Sequence, residues 1–357
     1  MADLATLVSD LQRLVEVESP SLDLEALARS AQNVAALIGE RTGREATIVE
    51  GPAGPHVHWS GGGTPRVLIL GHHDTVFPIG ALAQRPFAVA EGKATGPGVF
   101  DMKAGIVQAI HAVAELDDAS GVEMLFTADE EVGSSTSKAL LEARAQACGN
   151  VLVLEPSADG GAVKTGRKGT GTFEIIVGGR ASHAGLEPEK GVNSLIEACH
   201  QVLLIAGFGD AAAGTTVTPT VAKAGTADNV VPAETRIKVD VRVTNADEKD
   251  RIEQLMAALT PVDPAASVAA VGSIGRPPMP ESASASLFPL AQAAIPGIAG
   301  VAVGGGSDGN FTAALGVPTL DGLGAVGGGA HADHEFVLVD TMPERVDLVA
   351  GILRGLL

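Results

Sequence analysis

The chain is expected to fold as an α/β protein with a mixed, mostly parallel sheet, into which a smaller α+β sandwich is inserted. Three observations carry this expectation. Continuous apolar runs such as Val67-Leu68-Ile69-Leu70 end in polar loops and are followed by helical patterns, as in a sheet covered on both faces. Near Gly166 the texture changes to alternating strands and amphipathic helices, in the order strand–helix–strand–strand–helix–strand. After Pro277-Pro278 the first texture returns. These changes assign residues 1–167 and 274–357 to the first domain and residues 168–273 to the insertion.

The elements follow in order. Leu4, Leu7, Val8, Leu11, Leu14 and Val15 recur at helical spacing over residues 4–17. Ser19-Pro20-Ser21 is a helix-start signal for residues 22–41. Short strands are expected at 46–49 and 56–59, then buried strands at 65–70, 122–128 and 151–154. A helix is expected to start at Asp101 and run to about residue 116, and another to start at the Ser134-Ser135-Thr136 cluster. In the insertion, 172–177, 216–221 and 235–243 alternate as strands, and 192–205 and 248–259 read as helices. The last part supplies helices at 283–293, from Asp308 and at 343–356, a short strand at 318–320, and a Gly-rich stretch at 322–329.

At 357 residues the chain can bury a core without disulfides, and Cys148 and Cys199 form no spacing pattern; both read as buried thiols. The net charge of −19 argues against nucleic acid and anionic membrane as partners. The N-terminus is acidic and amphipathic, unlike a signal peptide, and no apolar run reaches transmembrane length, so a cytoplasmic location is expected.

Histidines and carboxylates stand where the hydrophobic runs end: His72-x-Asp74, Asp101, Glu130-Glu131, Glu155 and His331. Ligands of open α/β sheets collect at those carboxyl ends. Nitrogen and carboxylate donors without thiolates suit a catalytic zinc site. In His72-x-Asp74 the carboxylate suits the second ring nitrogen of a ligating histidine, while His73 points the other way in an extended chain. Asp101 alone reads equally as a helix N-cap, and Glu155 as a solvated strand end. Glu130 and Glu131 diverge if the chain stays extended, so that one can ligate while the other serves as a base. Together the stations suffice for two metal ions sharing a carboxylate, about 3.5–4 Å apart.

The segments GHHDTVFP (71–78), GPGVFDMKAG (96–105), TADEEVGS (127–134), LEPS (154–157), GRASHAG (179–185), NVVPAETRIKVDVR (229–242), GGGSDGN (304–310) and AHADHEF (330–336) run in one order along nearly the whole chain. In this the chain resembles the M20 metallopeptidases, and within them the glutamate carboxypeptidases. The resemblance implies a di-zinc aminopeptidase-like catalytic domain and an inserted dimerisation or lid domain. It implies that His72, Asp101 and Glu155 hold one Zn2+ and Asp101, Glu131 and His331 the other, with Asp74 orienting His72. Cobalt or manganese is a possible substitute. Glu130 is then general base and proton donor to the leaving amine, and His183 stabilises the oxyanion, often across a homodimer interface. Asn229, Arg242, Arg276, Gly305 and Gly306 resemble substrate-contacting positions; Arg242 also reads as a strand-end surface charge and Arg276 as a hinge residue.

The activity so implied is hydrolysis of an amide that releases a C-terminal amino acid, glutamate above all, from N-acyl or peptide substrates. An N-acyl amino acid deacylase of the acetylornithine or succinyl-diaminopimelate type is the alternative on the same fold. A non-catalytic binding protein is a remoter one, disfavoured because such a protein has no use for Glu130.

Overall fold

The computed structural model describes residues 3–357. Contacts divide them into two compact units: one of residues 3–166, 281–303 and 307–357, the other of 167–280 with 304–306.

The first unit is built on a six-stranded sheet. Its order is Thr47–Val49, His56–Ser60, Val122–Thr127, Val67–His72, Val151–Val153, Thr319–Leu320. The first two strands run antiparallel to their neighbours and the last four are mutually parallel. This is the mixed, mostly parallel α/β sheet that the apolar runs predict. Those runs lack alternation because both faces are covered. Val67, Ile69, Val122, Met124, Phe126 and Leu152 enter one core with the helices Leu4–Val15, Leu24–Thr42, Ala104–Ala114 and Met342–Leu356. Leu68, Leu70, Leu125, Val151 and Val153 enter another with Lys138–Cys148 and Gly309–Ala314. Successive residues thus serve opposite cores, as the two-residue strand period requires.

Caps explain where the opening helices begin and end. Asp3 accepts from the Thr6 amide and Asp23 from the Ala26 amide, and Gly43 closes the second helix at φ +71°. Two small sheets leave little trace in the sequence. One pairs Val163–Arg167 with Gly300–Val303; the other joins Ala88–Ala90, Lys93–Thr95, Gly327–Gly328 and Phe336–Leu338. Strands of two to five residues carry few positions for a period to show.

The second unit has an antiparallel sheet in the order Thr216–Ala224, Glu234–Val243, Gly169–Gly178, Ser267–Arg276. Phe173, Ile175, Val177, Ile237, Val239 and Val241 alternate onto one face, where Ala198 and Ile205 of helix Ser194–Ala206 and Ile252 and Met256 of helix Ala246–Ala257 pack. Cys148 is buried as expected, but Cys199 is exposed. It lies on the outer side of the Ser194–Ala206 helix, away from the Ala198 and Ile205 face that covers the sheet. Among the described residues, no helix is long and apolar enough to cross a membrane.

Candidate metal centre

The parallel strands bring their carboxyl ends to one level. His72 ends its strand opposite Thr127, and Leu70 lies opposite Val153. Glu130 and Glu131 therefore emerge beside His72, and Glu155 emerges two residues beyond Val153. Asp101 comes from an irregular turn, Val99–Lys103, and here the sequence expectation is corrected. Asp101 has φ −112° and ψ 95°, outside the helical region, and the helix begins at Ala104. The reason lies in the amides: those of Gly98, Phe100 and Asp101 donate to the Glu335 carboxylate at 2.9, 2.9 and 2.8 Å. The Asp101–Met102 peptide is cis. Glu130 and Glu131 also depart from expectation, since they form a short helical turn with Val132 in place of an extended chain. The Asp74 carboxylate accepts from both of their amides at 3.2 Å, which bends the chain around it.

These segments bring the five expected ligand residues together. His72 Nε2 lies 3.3 Å from Asp101 Oδ1 and 3.6 Å from Glu155 Oε1. His331 Nε2 lies 3.4 Å from Asp101 Oδ2 and 3.1 Å from Glu131 Oε2. Asp101 thus offers one oxygen to each imidazole. Potential donor atoms of His72, Asp101 and Glu131, and likewise those of His72, Glu130 and Glu155, all lie within 4.8 Å of one another.

The chemistry of this cluster calls for positive charge. Glu131 Oε1 is buried without a hydrogen-bond partner, and Asp101 Oδ1, although 3.3 Å from His72 Nε2, makes no well-aligned hydrogen bond, an arrangement that is costly unless a cation serves as partner. Burial works against the charge of His72, yet Asp101, Asp74 and Glu155 hold its pKa well above the ordinary value. Hydrogen bonding to Asp101 and Glu131 raises that of His331 to about 10. Burial also opposes ionisation of Asp101, but the two imidazoles hold it below the carboxylate range, whereas burial pushes Glu131 up. Imidazole and carboxylate donors without thiolate, with two oxygens unsatisfied, fit divalent metal ions.

Around the cluster lies a set of braces. His72 Nδ1 is 3.0 Å from the Asp74 carbonyl oxygen and 3.4 Å from its carboxylate, so main chain and side chain of Asp74 both hold the ring. Ser21 Oγ donates to the same carboxylate at 2.7 Å. His73 points away, with Nδ1 3.1 Å from Ser30 Oγ and Nε2 2.9 Å from the Pro55 carbonyl. The Gly-rich stretch has a steric reason: a Cβ on Gly324 would come within 2.2 Å of the Leu154 carbonyl and 2.8 Å of the Glu155 carbonyl. His331 has φ +63°, a conformation that non-glycine residues rarely adopt. From outside its loop, Arg85 donates to the carbonyls of Ala332 and Asp333 at 3.4 and 3.1 Å. Glu335 and Arg85 are missing from the residues expected on sequence grounds. A lone glutamate in a loop has no periodicity to mark it; its place four residues after His331 is the one available signal.

The remaining expected site residues belong to the second unit. His183 is exposed, and its Nδ1 accepts from the Gly185 amide at 3.1 Å, which leaves the ring proton on Nε2. The Ala184 amide donates to the Asn229 carbonyl at 2.9 Å, so His183 and Asn229 are neighbours. Arg242 and Arg276 both lie in register with Thr170, one on each side of it. Residues directly opposite share a sheet face. Arg242 forks onto Asp240 at 3.0 and 2.9 Å. A Cβ on Gly306 would meet Thr170 at 3.1 Å and Arg276 at 3.4 Å. Arg167, also absent from the sequence expectations, donates to the Gly305 carbonyl at 3.1 Å.

An α/β sheet carrying such a cluster at its strand ends defines a hydrolase of the metallopeptidase and amidohydrolase class. The chain belongs to peptidase family M20/M25/M40, whose profile it matches over residues 68–355. It is 30% identical to carboxypeptidase G2 of Pseudomonas sp. (strain RS-16), an alignment covering 98% of this chain and 89% of that protein. Identity to succinyl-diaminopimelate desuccinylase of Dechloromonas aromatica (strain RCB) is 29%, over 84% of this chain and 86% of that one. Among solved structures, aminopeptidase PepT of Bacillus cereus ATCC 10987 shares the fold with a TM-score of 0.83, at 21% identity and 99% coverage of both chains.

Proposed function

We propose that this hydrolase is a carboxypeptidase with two zinc ions per subunit, cobalt or manganese being able to replace them. It releases a C-terminal amino acid, glutamate by preference, from an N-acyl or peptide substrate. The observation that carries this reading is the convergence of His72, Asp101, Glu131, Glu155 and His331, with two buried carboxylate oxygens unsatisfied and Glu130 beside them. In this reading His72, Asp101 and Glu155 hold one ion, and Asp101, Glu131 and His331 the other. Bound divalent ions supply Lewis acidity, which makes a water acidic near neutral pH and polarises a carbonyl.

The chain's own groups do the rest. Glu130 takes a proton from the attacking water and passes it to the amine nitrogen as the C–N bond breaks. Asp74 fixes the backbone from which Glu130 projects. His183, with its proton on Nε2, donates to the carbonyl oxygen as negative charge develops there. Arg276 supplies bidentate donors for a carboxylate of a glutamate leaving group, and Arg242, whose Nε and Nη2 are held by Asp240, adds positive charge and its remaining N–H donors on the other side of Thr170. The similarity to carboxypeptidase G2 over most of both chains supports the carboxypeptidase assignment.

A second reading, N-acyl amino acid deacylase, is favoured by the similarity to succinyl-diaminopimelate desuccinylases. Amino acid release by zinc-loaded protein from benzoyl-glutamate, a folate, acetyl-ornithine and succinyl-diaminopimelate, each with a chelated control, separates the two. Preference for the glutamate substrates, lost in Arg276→Ala, is the expected result. Glu130→Gln should retain its metal and lose about 10²–10⁴ in kcat. Unchanged hydrolysis by that variant would remove Glu130 from the mechanism.

A further inference from the structure

We infer that Glu335 is a positioning residue that sets the spacing of Asp101 and His331, and through it the occupancy of the second metal position. The inference rests on the two-ion reading above. Glu335 is 1% exposed, and its carboxylate accepts from three main-chain amides, with the buried Lys103 ammonium near enough to attract it. Oε1 accepts from the amides of Phe100 and Asp101, and Oε2 from that of Gly98. Because the Val99–Lys103 turn is irregular at Asp101 and Met102, regular structure supplies no acceptors there, and the carboxylate does.

The other end of the clamp is the loop that carries His331. The Glu335 amide donates to the Ala332 carbonyl at 3.1 Å, and the Ala332 amide to the Gly329 carbonyl at 2.9 Å, closing a tight turn around His331. Immediately after Glu335, Phe336 pairs with Thr95, at the end of the strand that leads into Gly96-Pro97-Gly98. Strand pairing on one side and the carboxylate on the other therefore tie the two segments at a fixed distance. These ties hold the backbones of Asp101 and His331 close together, and their side chains approach to 3.4 Å. His72 and Glu155 stand at strand ends outside these ties, so loss of Glu335 disturbs the first position at Asp101 alone and the second at both Asp101 and His331.

Glutamine is a poor replacement, since a carboxamide in this position turns its NH2 toward an amide donor. Aspartate keeps the charge but withdraws the acceptors by one methylene. The test titrates metal-stripped protein with Co2+, following heat and the visible absorption of each equivalent, alongside thermal melting and steady-state kinetics. Wild-type protein should bind two ions. In Glu335→Gln the second equivalent should weaken at least tenfold and lose its absorption signature, while the first changes several-fold less. At saturating metal, kcat should fall with KM within threefold. Glu335→Asp should weaken the second equivalent as well, and it carries the same test if the glutamine variant does not fold. Two equivalents of wild-type affinity in Glu335→Gln, an equal loss at both, or full rescue by aspartate would overturn the inference. Wild-type protein binding fewer than two ions would instead overturn the two-ion reading on which it rests.

Discussion

Asp74 shows how much one buried carboxylate can be asked to do. Fully buried, it accepts from Ser21 Oγ and from the amides of Glu130 and Glu131, while its carbonyl and carboxylate both face His72 Nδ1. Burial disfavours its charge, but the imidazole and the hydroxyl hold its pKa below the ordinary value. Every contact on the carboxylate is to a donor, so Asp74→Asn must set an NH2 against an N–H. We expect this variant to lose about 10–100-fold in metal affinity and to lose kcat beyond that loss at saturating metal, because the Glu130 backbone moves. Ser21→Ala removes one donor only and should change either quantity less than about threefold. Metal titration and kinetics on the pair check both expectations; equal effects from the two variants would mean that Asp74 acts through Ser21 alone.

At the scale of elements, helices Leu4–Val15, Leu24–Thr42 and Ala104–Ala114 are tied by charge as well as by apolar packing. Asp10, 3% exposed, accepts from Arg41 Nε and Nη2 at 2.7 and 2.6 Å and lies 2.7 Å from His111 Nε2. Burial raises the Asp10 pKa, but Arg41 and then His111 bring it below the ordinary 3.8. A depressed carboxylate contributes stability above its unfolded pKa and loses it as pH falls through the folded one. Asp10→Asn should therefore cost about 2–3 kcal/mol at neutral pH. In urea titrations at several pH values, the gap to wild type should narrow below the ordinary 3.8. A gap independent of pH would show that packing, not charge, joins these helices.

The same scale shows what a sequence can reveal. Val67–His72 and Val122–Thr127 were legible because unbroken apolar runs have few other uses, and the polar residues ending them marked the centre. Asp101 was legible as a ligand but not as to its backbone, because the residue that draws its turn out of the helix lies 234 positions away. Glu335 stands in the AHADHEF segment, but its part in the site is not legible there, because its partners are amides, which every residue carries. The Glu130–Glu131 turn departs from an extended chain because Asp74, distant in sequence, bends it.

At the scale of the molecule, the open question is what meets the outer face of the Ser194–Ala206 helix. The stripe Val192, Leu195, Ile196, Cys199, Val202 and Leu203 suits either the helix's own sheet or a second subunit. Within the second unit Ala198 and Ile205 pack on the sheet, while Glu197 and Gln201 are buried against the 260–263 loop. Val192 is buried and Val202 packs partly against the core, but Leu195, Ile196, Leu203 and Leu204 remain 44%, 60%, 76% and 49% exposed, beside an exposed Cys199. Adjacent apolar residues of this size on one helix face are characteristic of a protein interface. A homodimer of the kind the family resemblance implies would be served by this face. In a two-fold arrangement each substitution appears twice, so like charges placed there oppose one another across the axis. Ile196→Glu with Leu203→Glu should convert a dimer to a monomer in sedimentation velocity. Neither side chain belongs to the core of the second unit, so the melting of the isolated subunit should be little changed. A wild-type protein that sediments as a monomer would exclude the dimer, and a double variant that stays dimeric would exclude this helix as its contact.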